Sequence, residues 1–108
     1  MSFVEIAGAG DMPAGTMKPF TVAGQEILVV HHEGSYYAIG RKCPHMGGDL
    51  AKGTLAGTTV TCPRHHSQFD VTTGRCLAGP RIGPLKLSTH DQVAYPVRVE
   101  GGRIQVEL

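Results

Sequence analysis

"VRVEGGRIQVEL", residues 97–108, alternates apolar and polar side chains on both sides of a Gly-Gly pair. Val97, Val99, Ile104, Val106 and Leu108 fall on one side of an extended chain. Arg98, Glu100, Arg103, Gln105 and Glu107 fall on the other. A period of two belongs to a strand with one dry and one wet face. Gly101-Gly102 supplies the positive φ that a two-residue hairpin turn requires. The segment therefore predicts a hairpin with its five apolar residues facing inward. Pro96 has no amide hydrogen to donate, so the strand starts after it or runs along a sheet edge.

The same pattern extends towards the N-terminus. "PFTVAGQEILVVHHEGSYYAIG", residues 19–40, reads as a three-stranded meander with turns at Ala23–Gln25 and His32–Ser35. "TTVTC" (58–62), "SQFDV" (67–71) and "FVEIA" (3–7) read as further short strands. No amphipathic helix, repeat or low-complexity run interrupts them, which predicts an all-β domain. At 108 residues the chain suits one domain, spanning 1–108. With 15 Gly, 7 Pro and no Trp, it is rich in turns and must build its core from Val, Ile and Leu.

No apolar stretch approaches the roughly 20 residues of a membrane helix. The N-terminus lacks the basic and apolar regions of a signal peptide, so a cytoplasmic, non-membrane protein is expected. Three cysteines in such a chain argue against a disulfide framework and towards metal binding or buried thiols.

Residues 41–86 differ from their flanks. They hold all three cysteines, seven basic residues and only two acidic ones, whereas the rest of the chain has three basic and seven acidic residues. Such blocks reflect docking of a partner or chance clustering on a wet surface. The segment lacks the interleaved aromatics that would stack bases, so nucleic-acid binding is not expected. The overall reading is a β-scaffold interrupted by a site-bearing insertion.

Within that insertion two short units recur: Cys43-Pro44-His45 and, after sixteen residues, Cys62-Pro63-Arg64-His65, followed directly by His66. Each offers one thiolate and one imidazole on a loop, with Pro next to Cys to restrict the backbone. Four such ligands make a metal site the leading idea. A mononuclear zinc site ordinarily groups its cysteines in one knuckle and its histidines in another. One of each per loop suits a binuclear centre, with both sulfurs on one iron and both imidazoles on the other. A structural zinc-binding module is the alternative from a different class.

These residues resemble the Rieske family, and its soluble ferredoxins in particular. C-x-H, a spacer of sixteen and C-x-x-H match that family's ligand pattern, while "GGDLAKG" and "FDVTTGRCLAGP" resemble the stretches after its two ligand loops. The resemblance implies a Rieske-like antiparallel β-sandwich scaffold with an inserted cluster-binding subdomain at 41–86. It implies one 2Fe–2S cluster held by Cys43, His45, Cys62 and His65, with no catalytic residue. It assigns His65 as the ligand and makes His66 a departure, where the family most often has Gly. His66 is then expected at positive φ, which His tolerates better than most residues.

High-potential members of the family join their two ligand loops by a disulfide. The matching positions here are Gly48 and Arg64, so that clamp cannot form. A Tyr whose hydroxyl bonds a ligand sulfur in those proteins is matched by Phe69, while Ser67 remains as a donor. Fewer donors to sulfur leave the reduced state less stable, which places the expected potential near the low end of the Rieske range, about −150 mV.

The resemblance implies a one-electron carrier, a non-enzymatic electron-transfer component of a multi-component oxidoreductase system. It would pass electrons from a reductase to a terminal enzyme such as an oxygenase, as a monomer whose partner's docking face is acidic. A small subunit of a nitrite-reductase-like enzyme is the neighbouring alternative. Elsewhere, Cys76 reads as a small buried hydrophobe, and His31-His32 and His90 as surface residues. Pro80 and Pro84 frame a loop that, by the resemblance, shields the cluster or is simply stiffened by them. Met46 reads as part of an apolar rim or as a local packing residue.

Overall fold

Thirteen short strands among its described residues build the computed structural model. It describes residues 3–43, 48–64, 66–79, 81–82, 85–86 and 90–108, with backbone alone for 81–82 and 85–86. The strands are β1 (Phe3–Gly8), β2 (Met17–Val22), β3 (Gln25–His32), β4 (Ser35–Gly40), β5 (Thr54–Ala56), β6 (Thr59–Thr61) and β7 (Gln68–Asp70). They continue as β8 (Cys76–Ala78), β9 (Arg81–Ile82), β10 (Leu85–Lys86), β11 (Ala94–Tyr95), β12 (Val97–Glu100) and β13 (Arg103–Glu107). Among the described residues the only helical pieces are single 3-10 turns at Ala9–Asp11 and Leu50–Lys52.

Three hairpins share one turn geometry. Ala23-Gly24, Glu33-Gly34 and Gly101-Gly102 each place both central residues at positive φ. That conformation matches the right-handed twist of the flanking strands and fixes the register. Val22 pairs with Gln25, His32 with Ser35 and Glu100 with Arg103.

The strands form a central sheet ordered β11-β4-β3-β2, a second ordered β1-β13-β12, a third ordered β5-β6-β7-β8, and a two-stranded β9–β10 pair. All their pairings are antiparallel. The run Ile27-Leu28-Val29-Val30 on β3 is wholly buried. Alternate residues on a strand face opposite sides, and this run divides between two cores. Ile27 and Val29 pack with Ala38, Ile104 and Val106, which makes the sandwich with the β1-β13-β12 sheet. Leu28 and Val30 pack with Ile39, Leu50, Val60, Phe69, Val71, Cys43 and Cys62. The central sheet is thus covered on both faces, and the two cysteines lie over the face away from the C-terminal hairpin.

The C-terminal hairpin departs from expectation at one residue. Ile104 and Val106 are fully buried, but Val99 is 46% exposed. Val99 is paired with Ile104, so it shares the inward side. Strand β12 is the edge of its sheet, and among the described residues no layer covers Val99.

Candidate metal centre

Two hairpin loops bring the cysteines together. The first leaves β4 and is closed by a bridge between Lys42 and Asp49. The Leu50 amide donates to the Arg41 carbonyl at 3.0 Å, and inside that closure the Cys43 amide donates to the Gly48 carbonyl at 2.6 Å. Asp49 locks the base. Its carboxylate receives Arg41 Nε at 3.0 Å and a second guanidinium nitrogen at 2.9 Å, and it also caps the following 3-10 turn through the Ala51 amide at 3.0 Å. The paired Arg41 guanidinium, more than any other influence, holds the Asp49 carboxyl below its ordinary value.

The sign of the pH dependence follows. A carboxyl with a depressed folded pKa contributes stability that is complete above its unfolded value and is lost as pH falls through the folded one. Asp49→Ala is expected to cost about 2 kcal/mol at neutral pH, from the lost cap and charged hydrogen bonds. The difference between variant and parent should shrink below about pH 4. Urea unfolding across pH 2–7 checks both statements, and a constant difference across that range would contradict them.

The second loop joins β6 to β7. Thr61 pairs with Gln68 across its base. The Cys62 amide donates to the Ser67 carbonyl at 2.7 Å, and the His66 amide donates to the Cys62 carbonyl at 3.1 Å. His66 has φ of +65°, the left-handed conformation expected for it, and its side chain is exposed.

Cys43 and Cys62 are both buried, at 2% and 1% exposure. Gly48 marks where the loops touch: a Cβ there would lie 2.7 Å from Cys62 Sγ and 3.2 Å from Arg64 Cγ and Cδ. Only glycine allows that approach without displacement. Positions 48 and 64, paired through the family resemblance, are therefore neighbours, with the stem of Arg64 beside Gly48. Ser67 is 1% exposed, and its hydroxyl has no hydrogen-bond partner among the described residues. A buried hydroxyl needs an acceptor. Two buried thiols, a glycine pressed on one sulfur and a buried donor in the same loop fit a compact sulfur-rich metal centre.

Not every expected site residue can be placed. His45 and His65 lie outside the described residues, as do Pro44, Met46, Pro80 and Pro84. Cys76 is half-buried and sits opposite Phe69 across the β7–β8 pair. Burial pushes its thiol pKa up, with help from nearby Asp91, which leaves it a poor nucleophile. His31 donates through Nδ1 to the Met12 carbonyl at 2.8 Å and stacks on Tyr36 with ring centroids 4.2 Å apart. It secures the N-terminal segment instead of standing free on the surface. His32 lies 3.5 Å from Glu33, and His90 is exposed.

The profile of the Rieske [2Fe-2S] domain matches residues 2–93. The chain belongs to this family. It is 32% identical over 106 residues to the ferredoxin component of the naphthalene 1,2-dioxygenase system of Pseudomonas aeruginosa, covering 98% of this chain and 95% of that one. Among solved structures, the ferredoxin of carbazole 1,9a-dioxygenase from Nocardioides aromaticivorans IC177 superposes with a TM-score of 0.80 at 32% identity. That match covers 98% of this chain and 97% of the other. A chain from a complex of reduced oxygenase and oxidized ferredoxin in carbazole 1,9a-dioxygenase matches with a TM-score of 0.77 at 28% identity, covering 96% and 100%. This Rieske chain therefore matches ferredoxin components over almost their whole length.

Proposed function

We propose that this Rieske protein is a one-electron carrier, a ferredoxin that takes electrons from a reductase and delivers them to a terminal oxygenase. In this reading Cys43 and Cys62 hold one iron of a single 2Fe–2S cluster, and His45 and His65 hold the other. Residues 41–86 form the cluster-binding part of one domain spanning 1–108. The protein works as a cytoplasmic monomer; among its described residues no helix is long and apolar enough to cross a membrane.

The observation that carries the reading is the convergence of two separate hairpin loops. Each buries its cysteine over the same face of the central sheet, and Gly48 of one presses on Cys62 of the other. When bound, the cluster supplies reversible one-electron chemistry, with imidazole ligands raising its potential above that of all-thiolate clusters. The chain's own residues tune and protect it. The Ser67 hydroxyl is available to donate to a sulfur acceptor, which stabilises added negative charge. Phe69, fully buried beneath the loops, offers bulk but no hydroxyl. The purified protein should be coloured and, once reduced, give an EPR signal with a potential near the low end of the Rieske range, about −150 mV. A colourless, EPR-silent protein after anaerobic reconstitution would favour zinc instead.

Charge supports an acidic docking face on the partner, in a reduced form. Lys42 Nζ is 3.3 Å from Glu26, and Arg41 pairs with Asp49 and approaches Glu26 at 4.0 Å. These cations are compensated at the loop base. Lys52 and Arg75 are exposed. Electron transfer to the oxygenase should slow as salt rises from 0.05 to 0.5 M, roughly tenfold for a steered encounter of this kind. A rate independent of salt in stopped-flow measurements would remove the acidic docking face from the proposal.

A further inference from the structure

The segment Asp91–Val93 ties the supports of the two ligand loops together. The Gln92 amide donates to the Gly74 carbonyl at 2.7 Å, and the Gly40 amide donates to the Val93 carbonyl at 2.9 Å. Asp91 Oδ1 accepts the Cys76 amide at 2.8 Å. The segment thereby links the end of β4, which leads into the first loop, with the β7–β8 turn behind the second. It is closely fitted. A Cβ at Gly40 would collide with the Gln92 side chain, and one at Gly74, where φ is +79°, would collide with the Gln92 carbonyl.

The side chain of Gln92 reaches further. Its Nε2 donates to the Lys42 carbonyl at 2.5 Å, while its Oε1 accepts the Val93 amide at 3.0 Å. The Lys42 carbonyl belongs to the peptide unit whose nitrogen is that of Cys43, and this N–H donates to the Gly48 carbonyl at 2.6 Å. One peptide plane is therefore held at both ends. Its N–H is fixed within the loop, and its C=O is fixed by a residue fifty positions away. With that plane pinned, the position of the Cys43 Cα is set, and only rotation about its own bonds is left to aim the sulfur. Cys62 is held differently: its amide and carbonyl both bond within their own loop.

We propose that Gln92 is a positioning residue for Cys43, holding its backbone so that its sulfur meets the metal centre. This rests on the reading of Cys43 as a ligand. Outer partners that orient ligands typically change metal affinity or activity by ten- to a hundredfold when removed. A lost donor at Gln92 should therefore show first in cluster retention and in the spectrum of the centre.

The test compares three variants of the full-length holoprotein. Gln92→Met keeps the length of the side chain and removes both polar atoms. Gln92→Glu keeps the acceptor for the Val93 amide but places an oxygen against the Lys42 carbonyl. Asp91→Ala loosens the same segment without touching Lys42. Cluster loss under chelator, followed by visible absorbance, should quicken about tenfold or more in both Gln92 variants, and the EPR line shape of the reduced protein should change. Asp91→Ala should lower the melting temperature while leaving cluster lifetime and EPR signal as in the parent. Parent-like retention and spectra in both Gln92 variants would overturn the proposal. So would equal cluster loss in Asp91→Ala, because general loosening of the segment would then explain everything. A parent protein that takes up no iron or sulfide fails at the earlier step and removes the ligand reading along with this one.

Discussion

Replacing Cys62 with alanine is expected to leave a protein without iron, acid-labile sulfide or visible colour, and Cys43→Ala should do the same. Each thiolate would supply one of the two protein ligands to one iron. No other cysteine is placed to substitute, since Cys76 lies on β8 across from Phe69 instead of in either loop. Cys76→Ala is therefore the internal control and should retain a full complement of iron. The expected effect on the loop cysteines is complete loss, because an iron with one thiolate missing would have an open coordination position. Both residues are almost fully buried, so truncation also leaves a small void, but that void alone costs on the order of 1 kcal/mol and would not empty the site. Iron and sulfide analysis of the three purified variants decides the matter. A coloured Cys62→Ala protein with parental iron content would end the ligand assignment.

The second large effect is on stability. Phe69 is fully buried and packs where the third sheet meets the central one, in the core that includes Leu28, Val30, Ile39 and both loop cysteines. Phe69→Ala should cost about 3–5 kcal/mol, from lost burial and the cavity left behind. A domain of this size has roughly 5–15 kcal/mol in total, so the urea midpoint should fall steeply. Phe69→Leu fills more of the space and should cost less, about 1–2 kcal/mol. A loss below about 1 kcal/mol for the alanine variant would show that the site collapses around the gap. It would mean that the two sheets are not joined there by a rigid core. The slope of the urea curve should stay the same in all three proteins if the unfolded state is unaffected.

Much of this could be read along the chain because the determining interactions are local. The three hairpins on the scaffold are specified by paired turn residues between alternating strands, and the structure places all three there. The positive φ expected at His66 is found. The two Cys-Pro units stand out for the same reason: the residues of each lie within a few positions of one another. Short strands with weak patterns were harder. Thr54–Ala56 and Cys76–Ala78 are three residues each, too few to establish a period, and they form only because neighbouring strands offer them partners.

The sequence by itself determined the strand pattern, the turns that set its register, and the nearness of a cysteine to a histidine along the chain in each of two segments. Only the tertiary structure decided that Ile27–Val30 serves two cores at once, that Val99 is left uncovered at an edge, and that Gly48 lies against Cys62. It alone brought Gln92 to the peptide beside Cys43. The physical reason is range: turn preference and side-chain alternation act between neighbours, whereas burial on both faces of a sheet and a hydrogen bond across fifty residues exist only once distant strands have been packed together.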